Sequence, residues 1–166
     1  MGIRIEKAAP GDAAMLLEYL KQVGGETNNL TFGSEGLPFS VEAEAEFISS
    51  IENSYDDIMF LAKSEGKIVG CASLSRLPRR MKHRGDIAIS VAKEYWNKGV
   101  GSQLLDNIIS FAKENAFEII DLQVRNDNQR AIHLYEKYGF EKIGEHPAFF
   151  KIGDENISFD IMCLIL

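Results

Sequence analysis

The sequence contains only two cysteines, four prolines and one tryptophan in 166 residues, and none of its apolar runs approaches the roughly 18 residues of a membrane-spanning helix. Cys71 and Cys163 lie inside apolar segments, which is typical of buried thiols in a reducing compartment rather than of a disulfide framework. Residues 1–6 lack the apolar core of a secretory signal peptide. We therefore expect a cytoplasmic protein with no membrane partner.

Basic residues are also in the minority, because 25 aspartates and glutamates outweigh 18 lysines and arginines and leave a net charge of −7. Nucleic-acid-binding proteins usually present a basic face, so we predict that nucleic acid is not a partner. His133 and His146 lack the spacing of metal ligands, so no metal site is predicted. One segment is strongly basic, and we interpret it either as a solvated turn or as a surface that steers an anionic substrate or partner: Arg76, Arg79, Arg80, Lys82, His83 and Arg84.

Hydrophobic patterning predicts a single domain over residues 1–166, and the 45 % of hydrophobic residues can form an ordinary core. Helical spacing predicts one helix capped by Asp12, a second capped by Ser40, a third, and a fourth over 127–138. The third helix is predicted to bury Leu104, Leu105, Ile108, Ile109 and Ala112. The order βααβββαβαββ predicts an α/β (α+β) fold with a mixed, mostly antiparallel sheet and helices on both faces. Apolar alternation and turn signals predict the strands over 3–8, 57–64, 67–77, 86–91, 118–124, 140–152 and 157–165.

A glycine-bearing turn connects the predicted strand 86–91 to the helix that follows it. Gly99 and Gly101 allow a ligand to approach the backbone closely, and the start of a helix presents unpaired N–H groups that bind phosphates. The third position after Gly101 is Leu104, which excludes the G-x-G-x-x-G dinucleotide fingerprint, and the P-loop pattern is absent as well. The alternative interpretation is that the turn is only a tight connection.

The predicted helix 127–138 carries a second signal. Asn128, Ile132 and Tyr135 share one helical face, and Asn128 and Tyr135 lie ~10 Å apart along the axis, at ~1.5 Å of rise per residue. These two polar groups could contact separate points of one extended ligand. The alternative is that Tyr135 is an ordinary tyrosine at the edge of the core.

Both signals lie in segments that resemble a known family. Residues 91–105, VAKEYWNKGVGSQLL, resemble the acetyl-CoA motif of the GNAT N-acetyltransferase superfamily, and residues 122–140, LQVRNDNQRAIHLYEKYGF, resemble its second cofactor motif. The resemblance implies a GNAT-like sheet in which the fourth and fifth strands splay apart around acetyl-CoA. It predicts an N-acetyltransferase that transfers the acetyl group to a primary amine of a small molecule, a peptide or a protein. The alternative is an acyl-CoA-binding module of the same fold without turnover.

The resemblance also implies roles for individual residues. Asn128 would bond the pantetheine amide, and Tyr135 would protonate the departing thiolate as general acid. Backbone groups of the fourth strand would hold the pantetheine arm and polarise the thioester carbonyl, at Ile89, Ser90 and Val91. Backbone N–H groups of the glycine-bearing turn would hold the pyrophosphate, at Asn97, Lys98, Gly99, Val100, Gly101 and Ser102.

The chain departs from the family pattern in one position and leaves another role open. Trp96 stands where the pattern usually has Gln or Arg, which removes a side-chain contact to phosphate and keeps the main-chain contacts. No residue matches a fixed general base for the amine. Asp86 and Glu26 are the candidates, and each could equally be a solvated surface acid.

The acceptor amine would lie against residues 24–51 and against the hairpin after Phe140. We predict a polar loop over 24–38 and a second helix that turns Ala43, Phe47 and Ile51 inward. The identity of the amine, the use of other acyl groups and the oligomeric state, a homodimer included, stay open. Six acids in these segments would suit a cationic amine such as a polyamine, an aminoglycoside or a protein N-terminus: Glu26, Glu35, Glu42, Glu44, Glu46 and Glu145.

Overall fold

The structure is a computed structural model that describes residues 2–166. Within these residues it has seven strands and four α-helices in the predicted order. The strands are β1 (Arg4–Lys7), β2 (Asp57–Ser64), β3 (Lys67–Arg76), β4 (Arg84–Val91), β5 (Ile119–Arg125), β6 (Glu141–Ile152) and β7 (Glu155–Ile165). The helices are α1 (Ala13–Glu26), α2 (Val41–Ile51), α3 (Val100–Glu114) and α4 (Gln129–Lys137). None of the helices in this part of the chain is long and apolar enough to cross a membrane.

The strands form one sheet in the order β1-β2-β3-β4-β5-β7-β6. Every neighbouring pair is antiparallel except β4 and β5, which are parallel and are connected through α3. Parallel neighbours need a crossover connection, whereas antiparallel neighbours can be joined by hairpins such as β2–β3 and β6–β7. The predicted mixed, mostly antiparallel sheet is confirmed.

Helices cover both faces of the sheet, because successive side chains of a strand point to opposite sides. In β2, Leu61 packs in a cluster with Leu16 of α1 and Ile48 of α2. Its neighbour Phe60 packs in a second cluster with Leu104 of α3 and Ile132 of α4. The sheet is therefore the middle layer between α1 and α2 on one face and α3 and α4 on the other.

The start and the end of α1 differ from the prediction. Asp12 precedes the helix but makes no side-chain cap, because its carboxylate accepts hydrogen bonds from the backbone N–H of Ala9 and from Lys63. The helix also continues through Gly24 to Glu26, into the segment predicted as a loop. A Cβ at Gly24 would overlap the carbonyl oxygen of Gly33, so glycine is needed here for close packing of the loop and not as a helix stop.

The inward face of α2 is also rotated relative to the prediction. Ser40 caps the helix as expected, with its Oγ accepting from the N–H of Ala43 at 3.0 Å. The buried residues are Glu44, Ile48 and Ile51, whereas Phe47 is 50 % exposed. The prediction that Ala43 and Phe47 face the core is wrong, because these two side chains line a cavity at the surface of the sheet.

Candidate active site

The sheet is split between β4 and β5. Residue pairs join the two strands only at the start, from Arg84 opposite Ile119 to Asp86 opposite Asp121. The remainder of β4, residues 87–91, has no partner on that side, while β5 stays paired with β7 along its whole length. The predicted splaying of the fourth and fifth strands is confirmed. Backbone groups in such a gap need a partner, which a ligand or water can supply.

Specific contacts hold each end of the split. At the closed end, the Arg84 guanidinium donates two hydrogen bonds of 2.7 Å to the Asp121 carboxylate. At the open end, the indole N–H of Trp96 donates to the carbonyl of Val91 at 2.8 Å. Ser90, between them, shares a 3.0 Å hydrogen bond with the hydroxyl of Tyr19 on α1. These contacts therefore fix the position of β4 at both ends of its unpaired edge and at Ser90 between them.

A cavity of about 370 Å³ opens from the split toward α3 and α4. Its wall includes Asn97 from the turn before α3, in which Asn97 and Gly99 adopt the left-handed φ angles of 61° and 81°. Gly99 precedes the helix and no side chain caps it, so the first N–H groups of α3 are free to meet an anion. The charged side chains that line this cavity are all basic: Arg125, Arg130 and Lys137.

Arg130 of α4 is fixed over the ring of Trp96. The guanidinium carbon lies 3.5 Å from the ring centroid, which is the geometry of a cation–π contact. Arg130 has no carboxylate partner among residues 2–166, in contrast to Arg125, which pairs with Asp127. The Trp96 ring thus links the end of β4 to an unpaired positive charge at the wall of the cavity.

Helix α4 presents Asn128 and Tyr135 toward the same cavity. Asn128 is the N-cap, because its Oδ1 accepts from the N–H of Ala131 at 3.3 Å. Tyr135 is 8 % exposed and its ring packs 5.6 Å from that of Phe140. Burial raises the pKa of Tyr135 to about 12, and the nearby Arg130 charge opposes the rise, so the phenol keeps its proton at neutral pH.

A second cavity of about 740 Å³ lies on the α1 and α2 side of the split. Its walls come from the loop 27–40, from α2 and from the hairpin of β6 and β7. Glu44 is its one charged lining residue among the residues that the structure describes. The two cavities meet at the split, where they share Asn29, Leu30, Ile89, Ser90, Gln123, Tyr135 and Phe159.

Comparison with known proteins agrees with this geometry. The model of the acetyltransferase (GNAT) family matches residues 26–140. The chain belongs to the GNAT family. A solved GNAT-family acetyltransferase from Streptococcus pneumoniae is 32 % identical, with a TM-score of 0.95 over 99 % of this chain and 100 % of that one. The resemblance of the two sequence motifs to this family is thereby confirmed.

Curated relatives in the GNAT family match over shorter stretches. The N-alpha-acetyltransferase RimI of Mycobacterium tuberculosis is 33 % identical over 92 residues, which is 55 % of this chain and 56 % of that protein. An N-alpha-acetyltransferase of Sulfurisphaera tokodaii is 30 % identical over 61 % of this chain and 66 % of its own length. The chain spans between 29 % and 66 % of the length of these and similar curated relatives.

The structure brings most of the predicted GNAT cofactor residues together. Lys98 and Gly99 do not line the first cavity, and the ammonium group of Lys98 lies 5.3 Å from the ring centroid of Tyr95. The other predicted cofactor residues do line it: Ile89, Ser90, Val91, Asn97, Val100, Gly101, Ser102 and Asn128. Tyr135 borders both cavities.

The two candidate bases lie outside both cavities. Asp86 sits in the closed part of the split, where burial and the neighbouring Asp121 raise its pKa against the effect of Arg84. Glu26 ends α1, and its carboxylate accepts the backbone N–H of Lys93 at 2.8 Å. Both positions suit a structural role, and the geometry favours neither residue as the base.

Sequence reasoning missed two residues of the site. Glu44 was one of six acids without distinction, yet it alone of the six lines the second cavity and is 5 % exposed. Arg130 lies two positions after Asn128 in the family motif and was not considered. The signal for Arg130 was Trp96, because a tryptophan at this position leaves the side-chain contact to phosphate, which Gln or Arg would make, to another residue.

Two of the six residues of the basic segment, Arg76 and Arg84, have structural roles. Arg76 pairs with Asp56 and stacks on Phe117, and Arg84 is bound to Asp121 at the closed end of the split. The exposed remainder, around the turn Arg79–Met81, precedes β4. The phosphate-binding candidates follow β4, so this segment is at the other end of the strand.

Proposed function

We propose that the chain is an acetyl-CoA-dependent N-acetyltransferase that acts on a primary amine. The observation that carries this proposal is the split sheet, with a basic cavity on one side, an acidic and apolar cavity on the other, and Tyr135 where they meet. A cofactor with several phosphates suits the basic side. An ammonium group suits the side with the carboxylate.

The residues of the first cavity fit acetyl-CoA, which supplies an acyl group activated as a thioester. The unpaired edge of β4 offers backbone donors and acceptors at strand spacing to the pantetheine amides. The free N–H groups at the start of α3 would bind the pyrophosphate. Since the Oδ1 of Asn128 is used for the helix cap, its amide N–H₂ group is the part that would donate to the pantetheine arm.

Arg130 would compensate for the tryptophan at position 96. Trp96 cannot contact a phosphate as Gln or Arg would, but its ring holds the Arg130 guanidinium beside the turn that starts α3. The indole N–H at the Val91 carbonyl fixes that ring in turn. Arg130 would therefore supply positive charge to the cofactor phosphates from α4.

Tyr135 would protonate the thiolate that leaves when the amine attacks the thioester carbonyl. Its hydroxyl makes no hydrogen bond among residues 2–166, so it is free to donate, and its raised pKa keeps it protonated over the physiological range. A backbone N–H of residues 89–91 would polarise the carbonyl, which is worth about 3 kcal/mol per donor.

The test is calorimetric titration with acetyl-CoA, followed by a coenzyme A release assay with a panel of primary amines. We expect micromolar binding and amine-dependent release. Binding without release for any amine would support the acyl-CoA-binding module instead. Absence of heat and of a thermal shift at millimolar acetyl-CoA would refute both.

A further inference from the structure

We propose that the acceptor is a small monoamine with an apolar, ring-bearing body, and that Glu44 receives its ammonium group. This inference rests on the acetyltransferase function proposed above. It names the chemistry of the second substrate, which the family alone does not decide. Three features of the second cavity carry it: its aromatic walls, its single charge and its connection to Tyr135.

The walls of the second cavity are rich in phenylalanine side chains. Six of the chain's ten phenylalanines line it: Phe32, Phe39, Phe47, Phe149, Phe150 and Phe159. Three of these stay substantially exposed, Phe39 at 53 %, Phe47 at 50 % and Phe149 at 42 %. Exposed rings clustered at the mouth of a cavity gain free energy when an apolar ligand covers them.

Glu44 is an unpaired carboxylate in this apolar environment. It is 5 % exposed, lines the cavity and has no hydrogen-bond or ion-pair partner among residues 2–166. Burial raises the pKa of Glu44, because the ionised form loses solvation without gaining a partner. An ammonium group in the cavity would supply that partner.

The single carboxylate argues against polycationic acceptors. A polyamine or an aminoglycoside would bring further ammonium groups against phenylalanine side chains, where cation–π contact replaces only part of the lost solvation and no second carboxylate lines the cavity. The other acids of these segments are not available to them. Glu26 is bound to the Lys93 backbone, Glu35 to the Gly33 N–H, and Glu145 to Lys142, while Glu42 and Glu46 are exposed outside the cavity.

A peptide N-terminus fits less well than a small amine. Each peptide unit brings an N–H and a carbonyl that require partners when buried. The cavity offers few polar side chains other than Glu44, chiefly Asn29, Thr31, Ser73, Ser90 and Gln123. An amine on a ring-bearing hydrocarbon body needs only the carboxylate.

Acetyl transfer to the bound amine would release one proton to solvent. The bound R–NH₃⁺ gives one proton to the Glu44 carboxylate, which passes it to solvent, and the neutral nitrogen attacks the thioester carbonyl carbon. The C–N bond forms and the C–S bond breaks. The thiolate takes a proton from Tyr135, and the second amine proton restores the tyrosine, so the products are the acetamide, coenzyme A and one released proton.

The first experiment compares kcat/KM for four acceptors at saturating acetyl-CoA: 2-phenylethylamine, spermidine, kanamycin and a phenylalanine-initiated tripeptide amide. We expect kcat/KM for 2-phenylethylamine to exceed the value for each of the others at least about 10-fold. This is the loss expected when one buried charge or amide group is left without a partner. A higher value for spermidine, kanamycin or the tripeptide would overturn the inference and leave the acetyltransferase function standing. No release with any acceptor, despite acetyl-CoA binding, would overturn both.

The second experiment isolates Glu44 by a readout other than turnover. Calorimetry in the presence of coenzyme A compares 2-phenylethylamine with the neutral 2-phenylethanol. The wild type should prefer the amine at least about 10-fold, Glu44→Gln should lose this preference, and Glu46→Gln, on the exposed face of the same helix, should keep it. The kcat of Glu44→Gln should fall about 10²–10⁴-fold. An unchanged preference in Glu44→Gln would refute its role.

Discussion

Replacing Tyr135 by Phe should separate chemistry from folding. The substitution removes one hydroxyl that makes no hydrogen bond among residues 2–166 and leaves the ring packed against Phe140. No satisfied polar group is lost, so the free energy of unfolding should change by less than about 0.5 kcal/mol. The turnover number should fall by about 10²–10⁴-fold, or roughly 3–5 kcal/mol in activation free energy, if the hydroxyl is the general acid.

Tyr138 provides the matched control three residues further along. Its hydroxyl lies 3.0 Å from the Ser102 carbonyl oxygen and 2.7 Å from the Asp106 carboxylate, so its one proton is donated to these acceptors in turn or shared between them, and Tyr138 lines neither cavity. Tyr138→Phe should therefore cost about 0.5–1.5 kcal/mol of stability for the lost hydrogen bonds and leave turnover unchanged. Thermal unfolding and coenzyme A release on the two variants should give opposite patterns.

The pH dependence supplies a further check on Tyr135. Its raised pKa, about 12, means that the phenol stays protonated well above neutral pH, so turnover of the wild type should show no loss from Tyr135 ionisation below about pH 11. The reasoning would be refuted by Tyr135→Phe turning over at the wild-type rate in single-turnover measurements, where product release cannot mask the chemical step.

Four further substitutions test the surroundings of the site and the start of α1. Arg130→Gln and Trp96→Leu should each weaken acetyl-CoA binding about 2- to 5-fold in calorimetry. Because the stacked pair acts as a unit, the double variant should lose little more affinity than either single variant does, and additive losses of affinity would contradict this. Gly24→Ala should lower stability by about 1–3 kcal/mol, because the added methyl group would displace the loop at Gly33. It should also raise KM for both substrates, because that loop lines both cavities, and a variant with wild-type melting temperature and KM values would contradict this prediction. Burial disfavours ionisation of Asp12, but its hydrogen bonds to Lys63 and the backbone lower its pKa below 3.8. The stabilisation of the fold by the Asp12 carboxylate is therefore present above pH 3.8 and lost as the pH falls further. Asp12→Asn should accordingly cost about 1.5–3 kcal/mol at neutral pH and progressively less as the pH falls below 3.8, and a loss that does not change with pH would refute the ion pair as its cause.

Much of the secondary structure and part of the candidate site follow from local sequence alone. Strand and helix order follow from apolar periodicities of two and about 3.6 residues, which need no tertiary information. The cap at Ser40, the turn at Gly99 and the shared face of Asn128 and Tyr135 are likewise local, because each depends on residues within two helical turns. The family resemblance placed the split between β4 and β5, since its motifs flank the two strands.

Only the tertiary structure decided which polar groups do what. Asp12 looked like a helix cap and instead binds Lys63, and Glu26 looked like a loop acid and instead accepts the Lys93 N–H. Glu44 became distinct from its neighbours because α2 buries this residue together with Ile48 and Ile51. A carboxylate's role depends on solvation and on partners far away in the chain, and neither is written in the local pattern that carries secondary structure.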